Sequence, residues 1–460
     1  MIQMRTIAPC RADGSVRGRE TMKRMNILFI HQNMPGQFKH LAPLLAREGH
    51  RVCFLTKACR QKLPGVTECI YPAPRAIRKE THHYLRRFED AVLHGQAVVR
   101  AIGGLRQKGF VPDLIIAHSG WGEALFLKDV LPNVPLIVFA ELSYVSHGLD
   151  VGFDPEEPCT LDTVCRTRAR NAHLLMSLDA ADAAVSPTHW QKASHSKALQ
   201  SKIAVIFDGI DIDVVQPRPD ARVVLPNGKE VRPGDPVITY VARNLEPYRG
   251  FRTFMRAIPE LQKRRPDAEI LIVGGDAVSY GRAPRDFPNW RTAMEAEVRF
   301  DASHVHFMGR LPYQDYLDVL AVSAAHAYLT YPFVLSWSCI EAMAMGALVI
   351  GSETGPVQEV IRDGENGLLT DFFDAHALAQ KLVMALDDPA RLQPLRDAAI
   401  ATARTDYSLR KAIPTWRAFI EQVVANHGGK NDMSALRLDP VVTEATRSSL
   451  AALSSGAQAR

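Results

Sequence analysis

Two arginines, in Val241-Ala-Arg243-Asn-Leu-Glu-Pro-Tyr-Arg249-Gly250, follow an apolar run and precede a helical pattern. Guanidinium groups at a helix entrance can hold a diphosphate through paired hydrogen bonds, and the helix N-terminal amides add to the attraction. Gly250 would let the backbone approach that ligand. The same arginines read equally well as a solvated surface pair. Further on, Thr330-Tyr-Pro-Phe-Val-Leu-Ser336-Trp337-Ser338-Cys-Ile-Glu341 puts Ser336 and Ser338 at a helix start, where serines cap orphan amides or leave them for an anion. Glu341 falls about one turn into that helix. It either accepts hydrogen bonds from the vicinal hydroxyls of a ribose or serves as a capping-box glutamate. His118 closes another apolar run, 112–117. A lone histidine is more often structural, but ligands of open parallel sheets gather beyond the carboxyl ends of the strands.

The elements that position these residues read as two α/β series. An apolar run at 26–31 leads into the polar loop His31-Gln-Asn-Met-Pro-Gly36-Gln37, then a helical pattern at 38–48, a stop at Gly49 and a second run at 51–56. That is one strand–helix–strand unit. Further strands are expected at 112–117, 134–139, 181–185 and 202–206, and their near-continuous apolarity indicates a parallel sheet covered on both faces. Pro and Gly cluster at 214–235, as in an interdomain linker or a surface hairpin. A fresh series follows, with strands at 237–241, 269–273, 305–307, 327–329 and 348–350 and helices at 251–263 and 313–321. The expected division is an N-terminal domain at 25–213, a C-terminal domain at 214–404, and a closing helix near 405–425 that rejoins the first.

Composition limits the function classes. A chain of 460 residues suits two domains of ordinary size, and 55 Lys and Arg against 50 Asp and Glu leave a net +5. That mild excess fits an anionic ligand or surface and is far from a dedicated nucleic-acid binder. The seven scattered cysteines form no Cys-x-x-Cys pair and read as reduced thiols. No apolar run approaches the roughly 20 residues that span a bilayer, and the basic residues before Met25 lack a signal core. Residues 1–24 are expected to be a disordered leader and 426–460 a disordered tail. The expected location is cytoplasmic, with peripheral membrane contact open. Arg75, Arg78, Lys79, Arg86 and Arg87, with His82 and His83, could dock on an anionic membrane or simply be solvated.

Taken together and in order, these segments resemble the family-4 retaining glycosyltransferases of the GT-B fold, from about Met25 to the closing helix. Arg243…Arg249-Gly250 is similar to that family's diphosphate clamp, with Ala242 for its first Gly, Arg249 for its usual Lys and one extra residue between. Gly274 lies in the match to the Gly-rich turn, and Gly309-Arg310 in the match to the segment that contacts the nucleobase. Glu341-Ala-Met-Ala-Met-Gly346 matches the family signature, and Gly355…Glu359…Gly364…Asn366-Gly367 continues it. The His31–Gln37 loop, with Gly36, resembles the loop that closes over the donor phosphates, and His118 matches a histidine near the donor sugar. The family's Glu-x7-Glu motif is incomplete: Glu341 is the second acid, but Phe333 stands at the first. The ribose role transfers to Glu341; no sugar-contacting carboxylate transfers to Phe333.

The resemblance implies two Rossmann-like, doubly wound parallel-sheet domains facing a cleft. It implies retaining transfer of a hexose from a nucleoside-diphosphate sugar to a saccharide or lipid-linked acceptor, with no cofactor, no metal and no nucleic acid. Arg243, Arg249 and helix-start amides near Ser336, Trp337 and Ser338 would stabilise the departing diphosphate. Two rivals stay open: a nucleotide-sugar epimerase, whose acid/base set is not visible, and a sugar-nucleotide-binding pseudoenzyme, motivated by Phe333. A dinucleotide-dependent dehydrogenase is excluded by the missing Gly-x-Gly-x-x-Gly after the first strand of either half.

Overall fold

A computed structural model describes residues 23–157 and 159–427. The expected leader and tail therefore lie almost wholly outside the described residues. The first sheet has seven parallel strands: β1 (Asn26–Ile30), β2 (Arg51–Thr56), β3 (Thr67–Ile70), β4 (Leu114–His118), β5 (Leu136–Phe139), β6 (Ala183–Ser186) and β7 (Ile203–Val205). Their spatial order is 3-2-1-4-5-6-7. The Pro/Gly-rich stretch holds an antiparallel hairpin, β8 (Val223–Val224) with β9 (Glu230–Val231). Six more parallel strands follow: β10 (Val237–Asn244), β11 (Glu269–Gly275), β12 (Val305–Gly309), β13 (Ala325–Tyr328), β14 (Leu348–Ser352) and β15 (Leu368–Thr370). They are ordered 12-11-10-13-14-15. Each order changes direction once, between β1 and β4 and between β10 and β13. The loops leaving those strands diverge there, which opens a crevice for ligands.

Both faces of each sheet are covered, and β1 shows why its sequence is apolar throughout. Leu28 and Ile30 pack with Val98 and Ile102 of one long helix, α2 (Arg86–Gln107). Ile27 and Phe29 point the other way, into a cluster with Leu41 and Leu45 of α1 (Leu41–Arg47). Successive strand residues alternate faces, so a strand buried on both sides carries an apolar residue at each position. Cys53 and Cys69 meet on neighbouring strands, with Sγ atoms 2.9 Å apart, and the described cysteines are free thiols.

The remaining helices used below are α3 (Phe251–Arg264), α4 (Tyr313–Ala321), α5 (Trp337–Met345) and α6 (Leu409–Asn426). α6 is the closing helix. It begins four residues later than expected, because the chain through Asp406 still belongs to the preceding helix. Its Trp416, Ile420 and Val423 are buried in the same cluster as Phe29 and Leu41 of the first domain. The two crossings between domains run side by side: Ile210 N–H donates to Tyr407 O and Leu409 N–H to Ile210 O.

Candidate active site

After β1 the chain folds back on itself. Gly36 has φ +50°, and a Cβ there would lie 2.3 Å from His31 Nε2, so only glycine lets the loop close on that imidazole. His31 Nδ1 accepts from Asn33 N–H (2.9 Å), which puts the ring proton on Nε2, and Nε2 donates to Gln37 Oε1 (2.8 Å). Gln37 Nε2 in turn donates to Glu141 Oε1 (2.9 Å). Burial lowers His31 to about 4, so the ring is neutral near pH 7 and the donors all run one way, from the Asn33 amide to the Glu141 carboxylate. His118, at the end of β4, is 1% exposed and stacked between Phe139 and Trp121. Its Nδ1 accepts from Gly120 N–H (3.0 Å), so Nε2 carries the proton. That Nε2 is buried with no hydrogen-bond partner and lies 3.8 Å from Glu141 Oε2. Burial, with His31 beside it, holds His118 well below its ordinary range. It is a neutral donor.

Across the cleft, Arg249 is only 7% exposed. Its Nη1 donates to Thr330 Oγ1 (2.8 Å) and Val334 O (3.0 Å), and its guanidinium lies over the Tyr280 ring, with Phe333 beyond. Tyr280 is held there because the buried Glu246 carboxylate accepts from the N–H groups of Ser279, Tyr280 and Gly281. Arg243, by contrast, is exposed. Among the described residues neither arginine ion-pairs with an acid, whereas Arg218, Arg252, Arg256 and Arg265 all do. A cation buried without a counter-charge costs several kcal/mol by rough estimate, and a bound anion offsets that cost. Gly250 has a packing role as well: at φ +70° a Cβ there would sit 2.3 Å from Leu329 Cβ, so glycine is required for packing on the end of β13.

Ser336 is the N-cap of α5 and accepts from Ser338 N–H (3.4 Å), while its own N–H donates to the Tyr328 hydroxyl (2.8 Å). Two of the three amides expected to hold phosphate or sugar thus already have partners within the chain. Glu341 is not a capping-box residue. Its two oxygens accept from the hydroxyls of Tyr313 and Tyr316 on α4, each at 2.7 Å, and the carboxylate is buried. Gly274 abuts Ala242 at the end of β11, and Gly309 closes β12. Arg310 Nη2 donates to Asn244 Oδ1 (2.7 Å), so these three residues gather at the carboxyl ends of β10, β11 and β12.

Several cleft residues lay outside the expectation. Lys39, just past the first loop, sits over the Trp337 ring (4.4 Å to its centroid); burial lowers its pKa against the pull of Glu341 and Asp208. Asp208 accepts from Trp337 Nε1 (2.7 Å), and desolvation raises it to about 7. Glu141 is the largest omission. Desolvation raises its pKa, opposed by Arg243, then by Gln37, then by Arg249. The rule that selected His118, a polar residue just beyond an apolar strand, would also have found Glu141 two residues past β5.

Residues 48–215 match the glycosyl transferase family 4 group, and residues 235–388 match the glycosyl transferases group 1. Over 377 residues the chain is 27% identical to D-inositol 3-phosphate glycosyltransferase of Corynebacterium efficiens, spanning 78% of this chain and 83% of that one. Sucrose-phosphate synthase of Thermosynechococcus elongatus has a similar fold, with a TM-score of 0.65 at 20% identity over 88% of this chain and 100% of that one. HepE of Anabaena, solved in complex with UDP-glucose, gives a TM-score of 0.60 at 15% identity over 87% and 100% of the two chains.

Proposed function

Because the chain belongs to the GT-B glycosyltransferases, with a family 4 first half and a group 1 second half, we propose that it moves a hexose from a nucleoside-diphosphate sugar to a hydroxyl acceptor with retention at the anomeric carbon. The observation that carries this reading is the pair Arg243 and Arg249, two cations at the crevice of the second sheet with no ion-pair partner among the described residues. Departure of the diphosphate builds negative charge on the β-phosphate, and these guanidiniums stabilise it, with closure of the two domains over the cleft to exclude water. Two fixed cations also do the work of a divalent ion, so EDTA leaves turnover unchanged. Glu141 and the uncharged His118 face the clamp from the acceptor side. Glu341 contacts the ribose by exchanging a tyrosine hydroxyl for a sugar hydroxyl. Incubation with UDP-, GDP- and ADP-sugars, followed by release of the nucleoside diphosphate and by the anomeric signal of the product, tests the reading. Binding of a donor without turnover, whatever the acceptor, supports the pseudoenzyme instead.

A glycolipid or cell-envelope polysaccharide acceptor fits the first domain's surface. Arg75, Arg78, Lys79, Arg86 and Arg87 are exposed, although Arg75 pairs with Glu89. Leu85 and Leu161 are also exposed, and His83 contacts Asp162 (2.8 Å) on the same side. No helix among the described residues is long and apolar enough to cross a membrane. We read the patch as a peripheral docking face at the inner membrane surface. Flotation with vesicles rich in phosphatidylserine should carry the protein upward. Replacing Arg78, Lys79 and Arg87 by Glu should abolish flotation, and flotation on neutral vesicles alone would reject the patch.

A further inference from the structure

We propose that Lys39 is a donor-binding residue, the cation that the first domain contributes to the α-phosphate of the nucleotide sugar. The inference rests on the glycosyltransferase reading and adds to the arginine clamp a contact from the opposite domain. Three observations carry it. First, Lys39 has a fixed place. It follows the turn Gly36–Phe38, and the buried Phe38 anchors that turn against Phe29, Phe54 and Phe139. Its ammonium lies over the Trp337 ring at 4.4 Å, with the Tyr313 ring beyond at 5.7 Å. Second, this ammonium is desolvated without a matching counter-ion. Glu341, Asp208 and Asp211 attract it, in that order, but among the described residues none forms an ion pair or hydrogen bond with it. The nearest acids are engaged elsewhere: Glu341 by the hydroxyls of Tyr313 and Tyr316, Asp208 by the indole N–H of Trp337. Third, its neighbours lie along the course of a donor. Lys39 is attracted by Glu341 and Asp208, Asp208 is repelled by Glu141, and Glu141 is attracted by Arg243 and Arg249. Lys39 thus stands between the carboxylate read as the ribose contact and the arginines read as the β-phosphate contact. In a nucleotide sugar the group between those two is the α-phosphate.

A phosphate oxygen supplies what the engaged carboxylates do not. A lysine ammonium has three N–H donors and no acceptor, and with one side against the indole the others remain for a ligand. The face of Trp337 offsets part of the cost of desolvating the charge, and a charge-assisted hydrogen bond to an anion offsets more. The arrangement also divides the grip on the donor. Arg243 and Arg249 belong to the second domain and Lys39 to the first, so a diphosphate that meets all three binds the closed cleft better than an open one. Donor binding therefore draws the two domains together.

The test uses two variants. Lys39→Met keeps an unbranched stem on the Trp337 ring and removes the charge, while Lys39→Arg keeps the charge. Each is titrated by calorimetry beside the wild-type chain and Arg243→Ala, with the nucleoside, monophosphate and diphosphate of uridine, guanosine and adenosine as probes. For an α-phosphate contact, Lys39→Met should weaken the monophosphate and the diphosphate alike, by about 10-fold or more, and leave the nucleoside within about twofold. Arg243→Ala should weaken the diphosphate alone. Lys39→Arg should recover most of the affinity that Lys39→Met loses. Monophosphate binding by Lys39→Met within about twofold of wild type overturns this assignment alone. A nucleoside that weakens as much as its monophosphate also overturns it, by making Lys39 a support for the cleft rather than a ligand contact. Equal losses in Lys39→Met and Lys39→Arg do the same, since the charge would then not be what binds. A wild-type chain that binds no nucleotide of any series overturns the nucleotide-sugar reading and this assignment with it.

Discussion

Glu123 illustrates how burial sets the chemistry of individual side chains around the cleft. It lies five residues past His118, is 1% exposed, and accepts from the Tyr71 hydroxyl (2.8 Å) through Oε1, while Oε2 is buried without a partner. Desolvation raises its pKa to about 7, and the unbonded Oε2 is the natural place for the proton. A carboxyl that holds its proton more tightly when folded stabilises the native state at low pH. Its contribution is complete below the unfolded value near 4.5 and declines as pH rises toward about 7. Glu123→Gln, which cannot ionise, should therefore show a growing stability advantage over wild type from pH 5 to pH 8. That advantage should be on the order of 3 kcal/mol at the upper end, read from urea unfolding at each pH. Equal pH slopes for the two chains would place the proton elsewhere. Tyr71 also bonds His94 (3.1 Å), which reaches Gln32 of the first loop, so Glu123 lies behind the residues that shape the acceptor side.

Strands and helices were legible where burial on two faces wrote an unbroken apolar run, as at Asn26–Ile30 or Leu348–Ser352. The edge strand Thr67–Ile70 was not, because a strand exposed along one side carries polar residues and has no such signature. α2 was missed for another reason. Its basic start drew attention as a charged patch, and Gly95, Gly103 and Gly104 interrupt its periodicity. Gly95 is there because a Cβ would come within 2.9 Å of Gly122 O, a tertiary cause invisible in one helix's sequence. The closing helix tests the packing account. Trp416 is 4% exposed in a cluster with residues of the first domain, far from it in sequence. Trp416→Ala should cost about 3 to 5 kcal/mol by cavity formation, measured as a shift in denaturant midpoint with the slope preserved. A cost below about 1 kcal/mol would mean α6 does not lock onto that domain.

Arg243, Arg249, Gly309, Arg310 and Glu341 stood out as candidates in the sequence because each sits in a motif. Lys39 and Asp208 did not, since their meaning depends on how the two domains meet, whereas Glu141 stands two residues past β5 and was passed over. That meeting is built from polar ties. Arg252 pairs with the buried Asp154, which also accepts from the Tyr331 hydroxyl, and Tyr248 donates to Asp150 (3.0 Å). The Glu359 carboxylate takes the N–H groups of His189 and Trp190 at 2.7 and 2.6 Å, capping a helix of the opposite domain. Apolar contact accompanies these ties, with Phe153 lying against Tyr331, Phe372 and Phe373. They bring the arginines at and just past the end of β10 up to the loops beyond β1 and β4, and the proposed anion site depends on that approach. The measurement that bears hardest on it is the affinity and turnover of nucleotide sugars in Arg243→Ala beside the wild-type chain, using the UDP-, GDP- and ADP-sugar series. The clamp requires that the wild type bind and turn over at least one donor and that Arg243→Ala lose about 100-fold or more in kcat/KM, roughly 3 kcal/mol of transition-state stabilisation. Unchanged kinetics in Arg243→Ala would remove the diphosphate from this site.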